Sequence, residues 1–188
     1  MEVLEFRKIT TEDEYDDYYN DNSCWSRVYE YPLVLKTIKK LYKKGQLIHN
    51  TSWGFSGVHI LFKEKLEEMF EVEHSDIKAS KLEKTFVYDI TKRNDSLKEK
   101  YDILINVSTL EEVKGVEHKK IFFNLLEQLK PGGFLVCTFD LPGLQLESFE
   151  ELFNQKIIQN GKSLNGKNSK LKNTRYSNLN CGLMVVKK

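Results

Sequence analysis

The sequence is poor in the residues that build metal and disulfide scaffolds. Its three cysteines (Cys24, Cys137, Cys181) are widely spaced in 188 residues and odd in number, which excludes a disulfide framework and a four-cysteine zinc site. The four histidines, His49, His59, His74 and His118, lack the i, i+4 pairing around an acid that holds catalytic zinc, so no metal site is expected. No run approaches the roughly 20 apolar residues of a membrane span, and no membrane insertion is expected. The opening Met1-Glu2-Val3-Leu4-Glu5-Phe6 has no basic-then-apolar leader pattern, so the expected compartment is the cytoplasm. Charge of one sign is not in excess either. Lys+Arg 29 against Asp+Glu 28 leaves a net charge of +1, which does not nominate nucleic acid as a partner. What is present is apolar and aromatic content, 40% and 12%, enough to exclude disorder and to support the core of a single domain.

Charge is balanced overall but segregated along the chain. Residues 11–21 read TEDEYDDYYND, six acids with three tyrosines and no base. From Leu152 onward there are eight Lys/Arg and no acid. The first segment is a solvated arm or, through Tyr15, Tyr18 and Tyr19, a flap over a ligand. The second centres on a Gly/Asn/Ser/Lys-rich stretch, 159–176, which is a surface loop or a clamp for an anionic acceptor. The chain is thus divided into an acidic and aromatic arm (1–31), a core (32–158), and a basic loop with a last strand (159–188).

Between these ends helical and extended periods alternate. Pro32 suits a first helical position, and Val34, Leu35, Ile38, Leu41 and Tyr42 recur at helical spacing up to Gly45. A strand is expected over 46–50, and a helix carrying Val58, Leu61, Phe62, Leu66, Met69 and Phe70 follows the turn at 51–57. Further strands are expected over 71–75, 85–88 and 101–107, the last (YDILINV) apolar enough for burial on both faces. A helix through Ile121, Phe122, Leu125, Leu126 and Leu129 stops at Pro131-Gly132-Gly133. Strand 134–139, a helix over 148–153, and strands at 157–158 and 182–186 complete the pattern. Such alternation predicts an α/β fold: a mostly parallel sheet between helical layers, an α/β/α sandwich. Ligands of these sheets sit beyond the carboxyl ends of the strands, where strand order reverses. The positions to inspect are therefore 50–57, Asp76, Asp89, 106–108 and Asp140, a set suited to a nucleoside.

The stretch 101–140, YDILINVSTLEEVKGVEHKKIFFNLLEQLKPGGFLVCTFD, resembles the second half of class I (Rossmann-like) S-adenosylmethionine-dependent methyltransferases. The likeness lies in an apolar strand opening on Tyr-Asp, a following Ser-x-Leu-Glu, a leucine-bearing helix, and Leu126 to Gly133 (LEQLKPGG) before the next strand. A weaker match reaches back to His49. The resemblance implies S-adenosyl-L-methionine as cofactor and a Rossmann-like methyltransferase sheet. It places Asn50, Ser52, Gly54 and Gly57 at the amino-acid end of the ligand, where glycines admit the backbone and amides face a carboxylate. Asp76 is set on the ribose, Asp89 with Ile90 on the adenine, and Asn106, Val107 and Ser108 at the opening towards the transferable methyl. Glu111, Glu112 and Asp140 are the candidate bases for the acceptor.

The sequence departs from the family where its first motif, D/E-x-G-x-G-x-G, is replaced by NTSWGFSG at 50–57. The acid is missing, and Trp53 and Phe55 stand among positions that take glycine. Ordinary roles stay open for the same residues: Gly54 and Gly57 as a tight turn, Asp76 and Asp89 as caps, Glu112 as an acid at a helix start, Asp140 as a turn opener. A Ser56 hydrolase elbow lacks its G-x-S-x-G spacing and a late histidine, and a dinucleotide oxidoreductase lacks G-x-G-x-x-G. A base-flipping nucleic-acid enzyme lacks its motif and a stacking platform. The expected function is a methyltransferase with a small or extended polar acceptor, such as a saccharide hydroxyl in glycan biosynthesis; the alternative is an inactive methyltransferase-like binding or scaffold domain.

Overall fold

A computed structural model describes residues 1–20, 26–54, 57–78, 85–162, 164 and 180–188. In chain order its elements are β1 (Glu2–Lys8), α1 (Arg27–Leu41), β2 (Leu47–Thr51), α2 (Val58–Met69), β3 (Glu71–Asp76), β4 (Thr85–Val87), β5 (Tyr101–Val107), α3 (His118–Gln128), β6 (Leu129–Leu141), α4 (Leu146–Phe153) and β7 (Asn180–Lys187). The strands form one sheet in the order β1-β7-β6-β5-β2-β3-β4. Pairs β6/β5, β5/β2, β2/β3 and β3/β4 are parallel, while β7 runs antiparallel to both β6 and β1. The expected α/β/α sandwich with a mostly parallel sheet is thus present.

Both faces of the sheet are covered, which is why the central strands read as unbroken apolar runs. On one face Val34 and Ile38 of α1 and Phe62 and Leu66 of α2 pack on Ile48, Ile103, Ile105 and Val185. On the other, Ile121, Phe122 and Leu125 of α3 and Phe149 of α4 pack on Leu104, Leu135, Phe139 and Met184. Gly182 on β7 is needed here, because a Cβ at that position would stand 2.3 Å from the ring of Phe139 on the neighbouring strand. Among the described residues no helix is long and apolar enough to cross a membrane.

The amino-terminal segment differs most from the sequence reading. Glu2–Lys8 is not part of an arm but the edge strand β1, seating Phe6 in the core against Phe139 and Phe153. Helix α1 begins at Arg27 rather than at Pro32, which lies inside it. Proline has no N–H for the carbonyl four residues back, and that carbonyl, Val28 O, instead accepts from Asp16 N–H at 2.8 Å. The acidic segment is thereby fastened to α1. Arg7 donates to both carboxylate oxygens of Asp13 at 2.9 and 2.8 Å, and Tyr19 is buried against Tyr31 and Phe62. Its described residues brace α1 against β1 and α2.

Smaller differences follow from local geometry. Helix α3 ends at Gln128, and Pro131-Gly132-Gly133 lies within the start of β6, where a Cβ on Gly133 would meet the carbonyl of Asp102 at 2.8 Å. Residues 157–158 contribute one bridge, Arg7 to Ile158, instead of a strand. Cys24, Trp25, Phe55, Ser56 and most of the basic stretch 159–176 lie outside the described residues.

Candidate functional site

A cavity of about 300 Å³ opens at the carboxyl ends of β2, β3 and β5. Sheet order reverses between β2 and β5, so the cavity occupies the switch point at which such sheets bind ligands. Strand β2 and the turn after it deliver Asn50, Thr51, Ser52, Trp53 and Gly54 to its wall; β3 delivers Asp76. The end of β5 and the turn after it deliver Val107, Ser108, Thr109 and Glu112, and the helices close the remaining side with Arg27 and Tyr31 of α1 and His59 and Phe62 of α2.

Two serines in this wall hold backbone conformations that favour glycine: Ser52 has φ +55° and Ser108 φ +40°. Left-handed non-glycine residues cost of order 1–3 kcal/mol and gather at functional sites. Ser52 N–H bonds to Ser75 O at 2.6 Å, and Ser108 N–H to Thr138 O at 3.0 Å, so each is held by the neighbouring strand. Gly54, with φ +75°, follows the same turn. Its missing side chain makes room for His59, whose Cδ2 is 2.8 Å from the place a Cβ would take. The hydroxyl of Tyr31 bonds to His59 Nδ1, and the Tyr31 ring stacks on Phe62 with centroids 3.9 Å apart. Trp53 is almost wholly buried, edge-on to His74 and under the ammonium of Lys63.

The expected residues divide into three groups. Asn50, Ser52, Gly54, Asp76, Val107, Ser108 and Glu112 line the cavity. Gly57 and Asn106 support it from outside: Gly57 precedes α2 with φ +55°, and buried Asn106 donates to Thr51 Oγ1 at 2.9 Å. Asp89 and Ile90 are elsewhere. The Asp89 carboxylate accepts from Thr91 N–H at 3.0 Å and Thr91 Oγ1 at 2.6 Å, which with the nearby Lys92 holds it below the usual range; it acts as a turn cap. Ile90 is buried in the α3 face of the core.

Glu111 and Asp140 do not line the cavity. Burial pushes the Glu111 carboxyl well up, as does the neighbouring Asp140 charge; its Oε1 accepts from Asp140 N–H at 2.7 Å, while its buried Oε2 has no hydrogen-bond partner among the described residues. Burial and the charge of Glu30 push Asp140 up to about 6, against a hydrogen bond from the Cys181 thiol at 3.1 Å. Of the three candidate bases, Glu112 is the one that lines the cavity.

The sequence reading missed Glu30. It is fully buried in α1: burial opposes the charge, but Arg27 and the hydroxyls of Ser108, Ser26 and Thr138 outweigh it and hold the carboxyl below its ordinary value. Arg27, Glu30 and Tyr31 share one face at i, i+3 and i+4, a signal hidden once the helix is taken to start at Pro32.

No family model matches the chain, and no curated protein matches it. Solved structures do. One is a 1,6-didemethyltoxoflavin-N1-methyltransferase from Burkholderia thailandensis, with 1,6-didemethyltoxoflavin and S-adenosylhomocysteine bound: TM-score 0.58 at 10% identity, over 92% of this chain and 84% of that one. Another is the CurJ carbon methyltransferase, TM-score 0.58 at 16% identity over 91% of this chain. A third is the trans-methyltransferase CalH in complex with SAH, TM-score 0.54 at 14% identity over 90% of this chain. The chain spans little more than half of the last two, 56% and 57%. At such identities the likeness shows the fold, the class I methyltransferase sandwich that the stretch 101–140 resembles.

Proposed function

We propose that the chain binds S-adenosyl-L-methionine in this cavity and transfers its methyl group to a small polar acceptor. The observation that carries the reading is the meeting, at the switch point of a methyltransferase-type sheet, of Asp76 with the ends of β2 and β5. The residues fit the group. Asp76, with one oxygen fixed by Lys78 N–H at 3.0 Å, is an acceptor for vicinal ribose hydroxyls. Arg27 supplies a cation for a carboxylate, and Glu112 an anion near a sulfonium. When bound, the cofactor supplies an electrophilic methyl carbon. The chain contributes alignment and exclusion of water, with Tyr31, Trp53 and Phe62 as the apolar wall. Glu112, in the cavity wall, is the candidate to accept the proton that a hydroxyl acceptor loses.

The acceptor side is polar, through Thr109 and Glu112, which suits a hydroxyl-bearing molecule; a saccharide hydroxyl in glycan biosynthesis is the acceptor suggested by the basic segment. A second reading, ligand binding without turnover, is favoured by one observation: the His59 ring fills the space beside Gly54. Calorimetric titration with S-adenosylmethionine and S-adenosylhomocysteine tests both. Micromolar affinity, about 8 kcal/mol, lost in Asp76→Ala, supports the site. Methylated product from a panel of sugar-phosphate and nucleotide-sugar acceptors supports turnover. Binding with no product from any acceptor class leaves the scaffold reading, and no binding at all overturns both.

A further inference from the structure

Glu30 divides its two carboxylate oxygens between two sides of the cavity. Oε2 accepts from Ser26 Oγ at 2.6 Å and from the Arg27 guanidinium, both at the start of α1. Oε1 accepts from Thr138 Oγ1 at 2.6 Å on β6 and from Ser108 Oγ at the end of β5. Two of those donors belong to cavity-lining residues on different elements: Arg27 from the helix, Ser108 from the turn after β5. Ser108 is one of the two wall serines whose left-handed backbone needs support from its surroundings.

A buried carboxylate is costly, and apolar replacements of buried ion pairs are often more stable. Retaining one here calls for a role that packing does not fill. The guanidinium of Arg27 can only donate, and the three hydroxyls also donate to this carboxylate, so the arrangement is matched to an acceptor with two oxygens and a negative charge. A glutamine offers one oxygen and turns an amide N–H₂ towards the donors on the other side.

We infer that Glu30 is a positioning residue that sets α1 in register with the β5 end, and thereby shapes the part of the cavity that receives the amino-acid end of the ligand. The inference rests on the cofactor reading above. Asp76, on β3, has no contact with this carboxylate, so the nucleoside end is independent of it.

The test compares two ligands on the full chain. S-Adenosylhomocysteine has both ends; 5′-methylthioadenosine has the nucleoside and sulfur but no amino-acid end. In Glu30→Gln the affinity for S-adenosylhomocysteine falls by about tenfold or more, the size of one charge-assisted hydrogen bond. Affinity for methylthioadenosine stays within about twofold. Thr138→Val removes one donor without touching the cavity and produces a smaller loss with the same selectivity; it serves if Glu30→Gln does not fold. Equal losses for both ligands, or a folded Thr138→Val with unchanged S-adenosylhomocysteine affinity, overturn the inference. Wild-type protein that binds neither ligand overturns the cofactor reading itself, which the unmutated control reveals separately.

Discussion

Cδ2 of His59 stands 2.8 Å from the point where a side chain on Gly54 would begin. The glycine that the sequence suggests for close approach of a ligand is therefore held by its own protein's imidazole. Substituting Gly54 meets two penalties, a left-handed backbone at φ +75° costing about 1–2 kcal/mol and overlap with the ring costing about 1–3 kcal/mol. Gly54→Ala should lose about 2–5 kcal/mol in urea unfolding. Adding His59→Ala should recover the overlap but not the backbone cost, giving a coupling of about 1–3 kcal/mol in a double-mutant cycle. Additive losses would mean that the two residues do not meet.

Asp76 and Asp89 looked alike in the sequence, each an acid just past a short strand, and the fold separates them. Asp76 lines the cavity, whereas Asp89 caps the turn at Thr91. Asp89→Ala is expected to cost about 1 kcal/mol of stability as a lost cap and to leave ligand affinity unchanged. Asp76→Ala should abolish binding. The Asp89 carboxyl is depressed in the folded state, so its contribution is present above the carboxyl's unfolded value and fades as pH falls through the folded one. Titration calorimetry and thermal unfolding on both variants decide this, and a loss of affinity in Asp89→Ala would restore it to the site.

What the sequence made legible was whatever a single local period could signal. β5 and β6 are buried on both faces and declare themselves as apolar runs, and α2 and α3 show helical spacing. β1 gave no such signal, because among its seven residues only Phe6 is fully buried and a register shift between Val3 and Glu5 breaks the alternation. The first turns of α1 were hidden because Val28, Tyr29, Glu30 and Tyr31 are buried one after another, so polar Glu30 sits where amphipathic logic expects an apolar residue. Its partners Ser108 and Thr138 are 78 and 108 positions away, and nothing local announces them. Asp76 and the 50–54 turn were found from topology, since strand ends at a switch point converge whatever their side chains.

The Asp140 pair gives the protein a pH response of predictable sign. With its carboxyl raised to about 6, chiefly by burial and by Glu30, the folded chain holds a proton that the unfolded chain releases near the ordinary 3.8. The associated stability is complete below that value and is lost as pH rises through about 6. Buried Glu111, also raised, adds a loss of the same sign. Asp140→Asn, which cannot ionise, should therefore flatten the stability profile and gain on the order of 1–3 kcal/mol over wild type at pH 8. Urea midpoints measured from pH 4 to 8 read this directly; parallel profiles for the two proteins would contradict it.

Trp53 offers a test that needs no acceptor. Its ring is 4% exposed and lies in the cavity wall, so its emission should be that of an indole shielded from water, and iodide should quench it poorly. A ligand entering the cavity displaces water from the same wall and changes the field from Lys63, whose ammonium is 5.9 Å from the ring centre. In a Trp25→Phe background, which leaves Trp53 as the sole tryptophan of the two, titration with S-adenosylhomocysteine should change the emission along a saturating curve with the calorimetric affinity. A further Trp53→Phe change removes the signal while leaving a ligand site to be measured by heat. Quenching as strong as that of free indole, or an emission indifferent to saturating ligand, would place Trp53 outside the binding wall and require a different route for the ligand past the 50–54 turn.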